Sequence, residues 1–259
     1  MLGFDAATPN AARIYDFLLG GKNNFAADRE AAEKLMRILP DAMSAACENR
    51  KFLRRAVRFL AAEAGIRQFI DVGAGLPTAV NTHEAARESE PAARAAYVDH
   101  DQVVVSHARA LLATDQGVAA ICGDLRDPQG ILDDPRLRAV VNFAEPVAVM
   151  LGAVLHFLDD APARAAVSHL KGAIPPGSYV VISHFSAERV GDRESREAQE
   201  VYLKAGTPIL PRASEEIRLF FDGLEMVDPG VVGVAEWRPE LGRTSPRNII
   251  YGGAARKPG

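Results

Sequence analysis

Between residues 41 and 64 apolar side chains recur at helical spacing. Phe52, Leu53, Ala56, Val57 and Leu60 share one face, while Arg50, Lys51, Arg54, Arg55 and Arg58 fall largely on the other. This division predicts an amphipathic helix from about Asp41 to Ala64, closed by Gly65, because glycine tolerates the positive φ of a helix end. A shorter helix, capped by Asp28 and running through Leu39, is expected before it and stops at Pro40. The first 65 residues therefore read as mostly helical. From Arg67 the rhythm changes. Short apolar runs at Gln68–Val72, Arg94–Asp99, Val118–Cys122, Val147–Leu151 and Ser178–Ser183 alternate with helical patterns, notably Gln102–Ala113 and Asp160–Ala173. Strands separated by helices imply a parallel sheet covered on both faces. A charged helical stretch, Glu188–Ala205, then leads past Pro208 and Pro211 to a helix over Ser214–Phe221. Two late strand-like pieces, Val231–Val234 and Asn248–Tyr251, suit an antiparallel edge. The expected fold class is α/β: a mainly parallel, seven-stranded sheet with helices on both faces and an α-helical N-terminal extension. The expected division is an extension over 1–65 and a core over 66–259, packed as one compact unit.

Composition narrows the function classes. With 259 residues, 48% of them apolar, the chain can bury a large core and is not globally disordered. A net charge of −4 argues against an electrostatic partner such as nucleic acid or an acidic membrane surface. Cys47 and Cys122 lie far apart, which excludes a disulfide scaffold and a four-cysteine zinc site. The histidines show no clustered ligand spacing, so no metal is expected. The longest apolar run, 146–158, is too short to span a bilayer and reads as a strand entering a helix. The opening residues have no basic and apolar leader pattern, and a cytoplasmic location is expected.

The candidate chemistry gathers at strand ends. In FIDVGAGLPT (69–78) an apolar strand reaches Asp71 and is followed by Gly73 and Gly75. Glycines there permit a tight turn and close approach of a ligand, and in open parallel sheets ligands bind outside the carboxyl ends of the strands. Asp99, in YVDHD (97–101), ends the second strand and can accept from both hydroxyls of a ribose. Asp124, in ICGDL (121–125), ends the third and can accept from an adenine amine, with Leu125 offering an amide and an apolar wall. Three acids at three consecutive strand ends describe a nucleoside site. A dinucleotide fits poorly: Thr78 stands where the third glycine of the fingerprint belongs, and Pro77 removes an amide that a pyrophosphate needs. Asp71 beside the glycines suits an ammonium group, so an amino-acid-bearing nucleoside, S-adenosylmethionine, is the better match.

In these motifs the chain resembles the class I S-adenosylmethionine-dependent methyltransferases, which have a Rossmann-like fold. More narrowly it resembles an actinobacterial methyltransferase family long catalogued as a domain of unknown function. The likeness runs through RIYDFLLGGKNNFAADRE (13–30), ENRKFLRRAVRFL (48–60), RQFIDVGAGLPT (67–78), PVAVMLGAVLHFL (146–158) and PGSYVVISH (176–184). It implies that Asp71, Gly73 and Gly75 lie near the methionine part of the cofactor, Asp99 at the ribose, and Asp124 and Leu125 at the adenine. Gly152, Ala153 and Leu155 would form the wall facing the sulfonium. His100–Asp101 departs from the usual pattern and leaves the division of roles between Asp99 and Asp101 open.

The segment RIYDFLLGGKNNF has two readings: a helix with a glycine cap, or a lid in which Tyr15, Lys22, Asn24 and Phe25 close over the cofactor. Arg50 either reaches the cofactor carboxylate or belongs to a solvated basic face. His156 and His184 are the available bases, each equally readable as structural, and no catalytic residue is assigned. The expected activity is methyl transfer to a small-molecule acceptor. A non-catalytic cofactor-binding protein is the alternative, and a nicotinamide-dependent oxidoreductase a weaker one.

Overall fold

The computed structural model describes residues 5–239 and 249–259. Three helices open the chain: α1 (Ala11–Leu18), α2 (Ala26–Ile38) and α3 (Ala42–Ala62). Strands and helices then alternate through β1 (Gln68–Val72), α4 (Thr82–Arg87), β2 (Arg94–Asp99), α5 (Gln102–Leu111) and β3 (Val118–Cys122). Two short helices, α6 (Pro128–Asp133) and α7 (Pro135–Val140), precede β4 (Ala148–Gly152), α8 (Asp160–Ala173) and β5 (Tyr179–Phe185). The chain continues through α9 (Asp192–Lys204), α10 (Ser214–Arg218), β6 (Glu225–Met226), β7 (Val232–Gly233) and β8 (Ile250–Arg256).

The strands form one eight-stranded sheet in the order β3-β2-β1-β4-β5-β8-β6, with β7 also paired to β8. Pairing is parallel from β3 to β5 and antiparallel around β8. The chain order reverses between β1 and β4, and that switch point is where open α/β sheets hold ligands. The seven expected strands are thus eight. Two-residue β6 is too short to show period-two alternation, and the last strand runs to Arg256 rather than stopping at Tyr251. Asn248, its expected first residue, lies outside the described residues.

Alternation along each strand divides the core into two layers. Phe69, Ala95, Tyr97 and Met150 pack on one face with Ile14, Leu35, Phe52 and Leu60 of the N-terminal helices. Ile70, Val98, Ile121 and Leu151 pack on the other with Ile131, Leu137, Val167 and Leu170 of α6 to α8. The extension therefore contributes to the same core as the sheet. A buried ion pair fastens it: Arg13 Nε lies 2.7 Å from Asp28 Oδ2, with side chains 6% and 0% exposed. Asp28 is not the cap at which α2 starts but its third residue, and its carboxylate reaches back to the Phe25 amide at 2.8 Å. Ser214–Phe221 is a short α-helix that tightens into a 3-10 turn over Leu219–Phe221. Among the described residues no helix is long and apolar enough to cross a membrane.

Candidate functional site

The loop after β1 is tied to its neighbour by two amides, from Gly73 and Ala74, which donate to the Val98 carbonyl at 2.8 and 3.2 Å. Gly73 and Gly75 have φ of +71° and +69°, the left-handed region that disfavours side chains. They are glycines for different reasons. A Cβ on Gly73 would stand 2.4 Å from Val154 Cγ2, whereas one on Gly75 would meet nothing within 4 Å. Gly73 is needed for packing; Gly75 leaves the backbone bare on the cavity side. Gly73→Ala is therefore expected to lower stability by about 1–3 kcal/mol, through overpacking as well as backbone strain. Gly75→Ala bears only the left-handed cost, about 1 kcal/mol. Urea denaturation of the two variants measures the difference.

The four acids proposed from the sequence occupy four different situations. Asp99 is buried at the end of β2 and accepts from the Gly75 amide at 3.0 Å and the Asp101 amide at 2.9 Å. Each oxygen keeps one lone pair, and the residue lines the cavity. Burial pushes its pKa up, against the lowering effect of those two amides and of His100, whose Nδ1 lies 3.6 Å away. Asp101 caps α5 through the Val103 amide at 2.7 Å and accepts from Asn10 Nδ2 at 3.0 Å. Its carboxylate is thus engaged in joining α5 to the N-terminal segment. Asp124 binds Arg126 through both the backbone amide, at 2.8 Å, and the guanidinium, at 3.0 Å, and stays partly exposed at the cavity edge beside buried Leu125. Asp71 is placed differently from expectation. Its side chain leaves the cavity lining and accepts from Thr82 Oγ1 at 2.6 Å beneath α4, where burial raises its pKa.

The turn after β4 also departs from the expected pattern. Gly152 and Ala153 line the cavity, but Leu155 is fully buried in the opposite core layer. Val154 and His156 take the lining positions around it. Ala153 has φ of +55°, and its amide donates to Ser183 O and Ser183 Oγ, both at 3.0 Å. Gly152 answers to packing: a Cβ there would meet Leu53 Cδ1 at 2.7 Å.

Both histidines are held neutral. His184 Nδ1 donates to the Phe185 carbonyl at 2.7 Å, so its Nε2 accepts from Arg212 at 2.8 Å. Burial drives its pKa down to about 3. It does not line the cavity and is structural. His156 Nδ1 accepts from the Phe185 amide at 3.3 Å, which fixes the proton on Nε2 in the neutral ring. Its pKa is lowered well below the usual value, chiefly by burial.

The N-terminal candidates separate. Tyr15 lines the main cavity, its hydroxyl donating to the Ala46 carbonyl at 3.2 Å and accepting from Asn49 Nδ2 at 2.9 Å. Arg50 lines it too, donating to Thr78 Oγ1 at 2.7 Å and so standing over the glycine loop. It is not part of a solvated face. Lys22, Asn24 and Phe25 line a neighbouring groove that shares Asn10, His100 and Asp101 with the cavity. Asn24 is held by Asp16 Oδ2 at 2.8 Å, and Phe25 lies under the Arg13 guanidinium. The glycine pair determines this path: Gly20 turns at φ +77°, and a Cβ on Gly21 would overlap the Asp16 carboxylate. Asn10, Asn49, Phe157 and Tyr202 are lining residues that the sequence did not single out. Asn49 is 1% exposed, and its Oδ1 has no hydrogen-bond partner among the described residues. Its signal was a polar side chain on the apolar stripe of α3.

Together these elements enclose a cavity of about 450 Å³ at the carboxyl ends of β1 to β4, roofed by α1 to α3. Comparison with known proteins agrees with the geometry. Residues 3–258 match the model of a family described as S-adenosyl methyltransferase. A crystal structure of a candidate methyltransferase from Thermobifida fusca is 40% identical, covers 100% of this chain and 98% of its own, and superposes with a TM-score of 0.93. A DUF574 family protein from Streptomyces avermitilis is 38% identical, with 98% and 99% covered and a TM-score of 0.92. Human N-acetylserotonin methyltransferase, solved with S-adenosylmethionine, shares the fold at 15% identity and a TM-score of 0.52, over 97% of this chain and 63% of its own. No curated protein matches the chain.

Proposed function

The chain belongs to the S-adenosyl methyltransferase family, and from that premise we propose that it transfers a methyl group to a small-molecule acceptor held in the cavity beside the cofactor. The cofactor is S-adenosyl-L-methionine. The observation that carries the reading is Asp99: a buried carboxylate at the mouth of the sheet, bonded to Gly75 and keeping lone pairs toward the cavity. In this reading Asp99 accepts from the ribose hydroxyls. Leu125 and Asp124 border the adenine, and Arg50, over the glycine loop, pairs with the cofactor carboxylate. The bare backbone of Gly75 permits close approach, and Gly152 and Ala153 wall the reacting end. Asp71 acts from behind, holding α4 through Thr82.

When bound, the cofactor supplies a methyl group on a sulfonium, an electrophile that needs alignment and exclusion of water more than activation. The chain's part is to position and to desolvate. The roof of α1 to α3 closes the cavity over the strand ends, and His156 directs an N–H rather than a lone pair at its contents. It orients the acceptor and does not deprotonate it. The nucleophile then presents its own lone pair, as a neutral nitrogen or as a hydroxyl or thiol that gives up its proton to solvent once methylated.

Calorimetry with S-adenosylmethionine, S-adenosylhomocysteine and NAD tests the binding half: the first two are expected to bind and NAD not. Formation of S-adenosylhomocysteine in the presence of an acceptor separates an enzyme from a non-catalytic binder on the same fold. A preference for NAD would end the reading.

A further inference from the structure

The cavity lining is divided by charge. Asp99 ends β2, and His100, Asp101, Asp124 and Arg126 stand on the loops after β2 and β3. Arg50 faces the glycine loop through Thr78, and Asp159, which is exposed, follows β4. The opposite half is built by α1, α2, the first turns of α3, α9 and residues 206–210, and apart from Arg50 these contribute no charged side chain to the lining. Leu35, Leu39, Ala45, Ile209 and Ile249 supply its apolar surface. Among the described residues, a charged group placed there would lose its hydration and find no counter-ion other than Arg50, at a cost that binding does not recover.

An aromatic wall joins the halves. The His156 and Phe157 rings lie 4.3 Å apart at their centroids, and Phe157 and Tyr202 lie 6.1 Å apart. Tyr15 lines the same cavity. Rings packed on one another at such spacing leave no room between them, but together they present to the cavity a surface of faces and edges on which a flat ring can stack. In this wall the Nε2–H of His156 donates to no described residue; Oδ1 of Asn49, beside Tyr15, also lacks a partner among the described residues but is sealed from the cavity space. Both are neutral, like the surface around them.

We propose that the helical half of the cavity holds the methyl acceptor, and that this acceptor is an uncharged aromatic small molecule whose oxygen or nitrogen lone pair takes the His156 Nε2–H. The assignment rests on the cofactor reading, which places the adenosine on the charged half.

The test uses the full chain saturated with S-adenosylhomocysteine and three probes that share one ring system: 2-naphthol, 2-naphthoate and 2-naphthylmethylammonium. Ligand-observed NMR is expected to show 2-naphthol binding at least tenfold tighter than either ion. His156→Phe keeps a ring and removes the N–H, so 2-naphthol is expected to bind about tenfold more weakly, while His156→Gln, which retains a donor, recovers most of the affinity. S-adenosylhomocysteine affinity, measured on each variant, serves as the check of folding. If His156→Phe fails that check, the charge preference of the unaltered chain decides. Equal or tighter binding of the ions, unchanged 2-naphthol binding in His156→Phe, or no probe binding at all while S-adenosylhomocysteine binds, overturns the proposal. Loss of S-adenosylhomocysteine binding in the unaltered chain overturns the cofactor reading instead.

Discussion

Asp28→Ala is expected to destabilise the protein by about 3–5 kcal/mol, read as a lower urea midpoint with an unchanged slope. The carboxylate accepts from Arg13 Nε at 2.7 Å, the Phe25 amide at 2.8 Å and the Asn10 amide at 2.9 Å. Removing it leaves the Arg13 guanidinium buried without its carboxylate, together with two amides that lose their acceptor. Replacing both partners, as Arg13→Met with Asp28→Leu, removes the buried charge together with its carboxylate, so much of the loss is expected to return. A cost below about 1 kcal/mol for Asp28→Ala would mean that the first 28 residues contribute little to the fold. The variant thus measures how firmly the roof of the cavity is attached.

The second large effect belongs to Asp99. A hydrogen bond to a charged group contributes about 1.5–3 kcal/mol, so Asp99→Ala is expected to weaken S-adenosylhomocysteine binding by about ten- to a hundredfold in calorimetry. Asp101→Ala, which removes a helix cap and the bond to Asn10, is expected to cost stability, about 1 kcal/mol, rather than affinity. The reverse result would move the ribose to Asp101. Affinity also depends on pH with a definite sign. Burial raises the Asp99 pKa in the free protein, and ribose hydroxyls favour the ionised form. Binding is therefore strongest above that raised pKa and declines as the pH falls through it, and Asp99→Asn abolishes the decline.

The strands were legible because a parallel strand buried on both faces is a continuous apolar run. Gln68–Val72, Arg94–Asp99 and Val118–Cys122 are found where the pattern puts them, and so the acids at their ends are too. Legibility failed where the backbone leaves a regular period. After β4 the left-handed Ala153 shifts the phase, and Leu155 turns into the core while His156 reaches the cavity. Strand-end position likewise says nothing of which way Asp71 points once Thr82 is folded against it. The direction of Lys22, Asn24 and Phe25 depends on a glycine turn around Asp16, a tertiary contact with no local signature. Asn49 was visible as a polar interruption of an apolar stripe, a pattern as common in satisfied helices as in binding sites.

β8 bonds to β5 along seven residue pairs and also carries β6 and β7, although it follows all three in the chain. During synthesis, β5 therefore leaves the ribosome with one edge unpaired, and roughly 65 further residues must emerge before that edge is closed, an interval of several seconds at ordinary elongation rates. An open, apolar edge is a template for pairing with another chain. The nascent protein is consequently most exposed to aggregation just before its last strand arrives. Chaperone dependence and low yield are expected to follow from changes that weaken β8 even where the cavity is untouched.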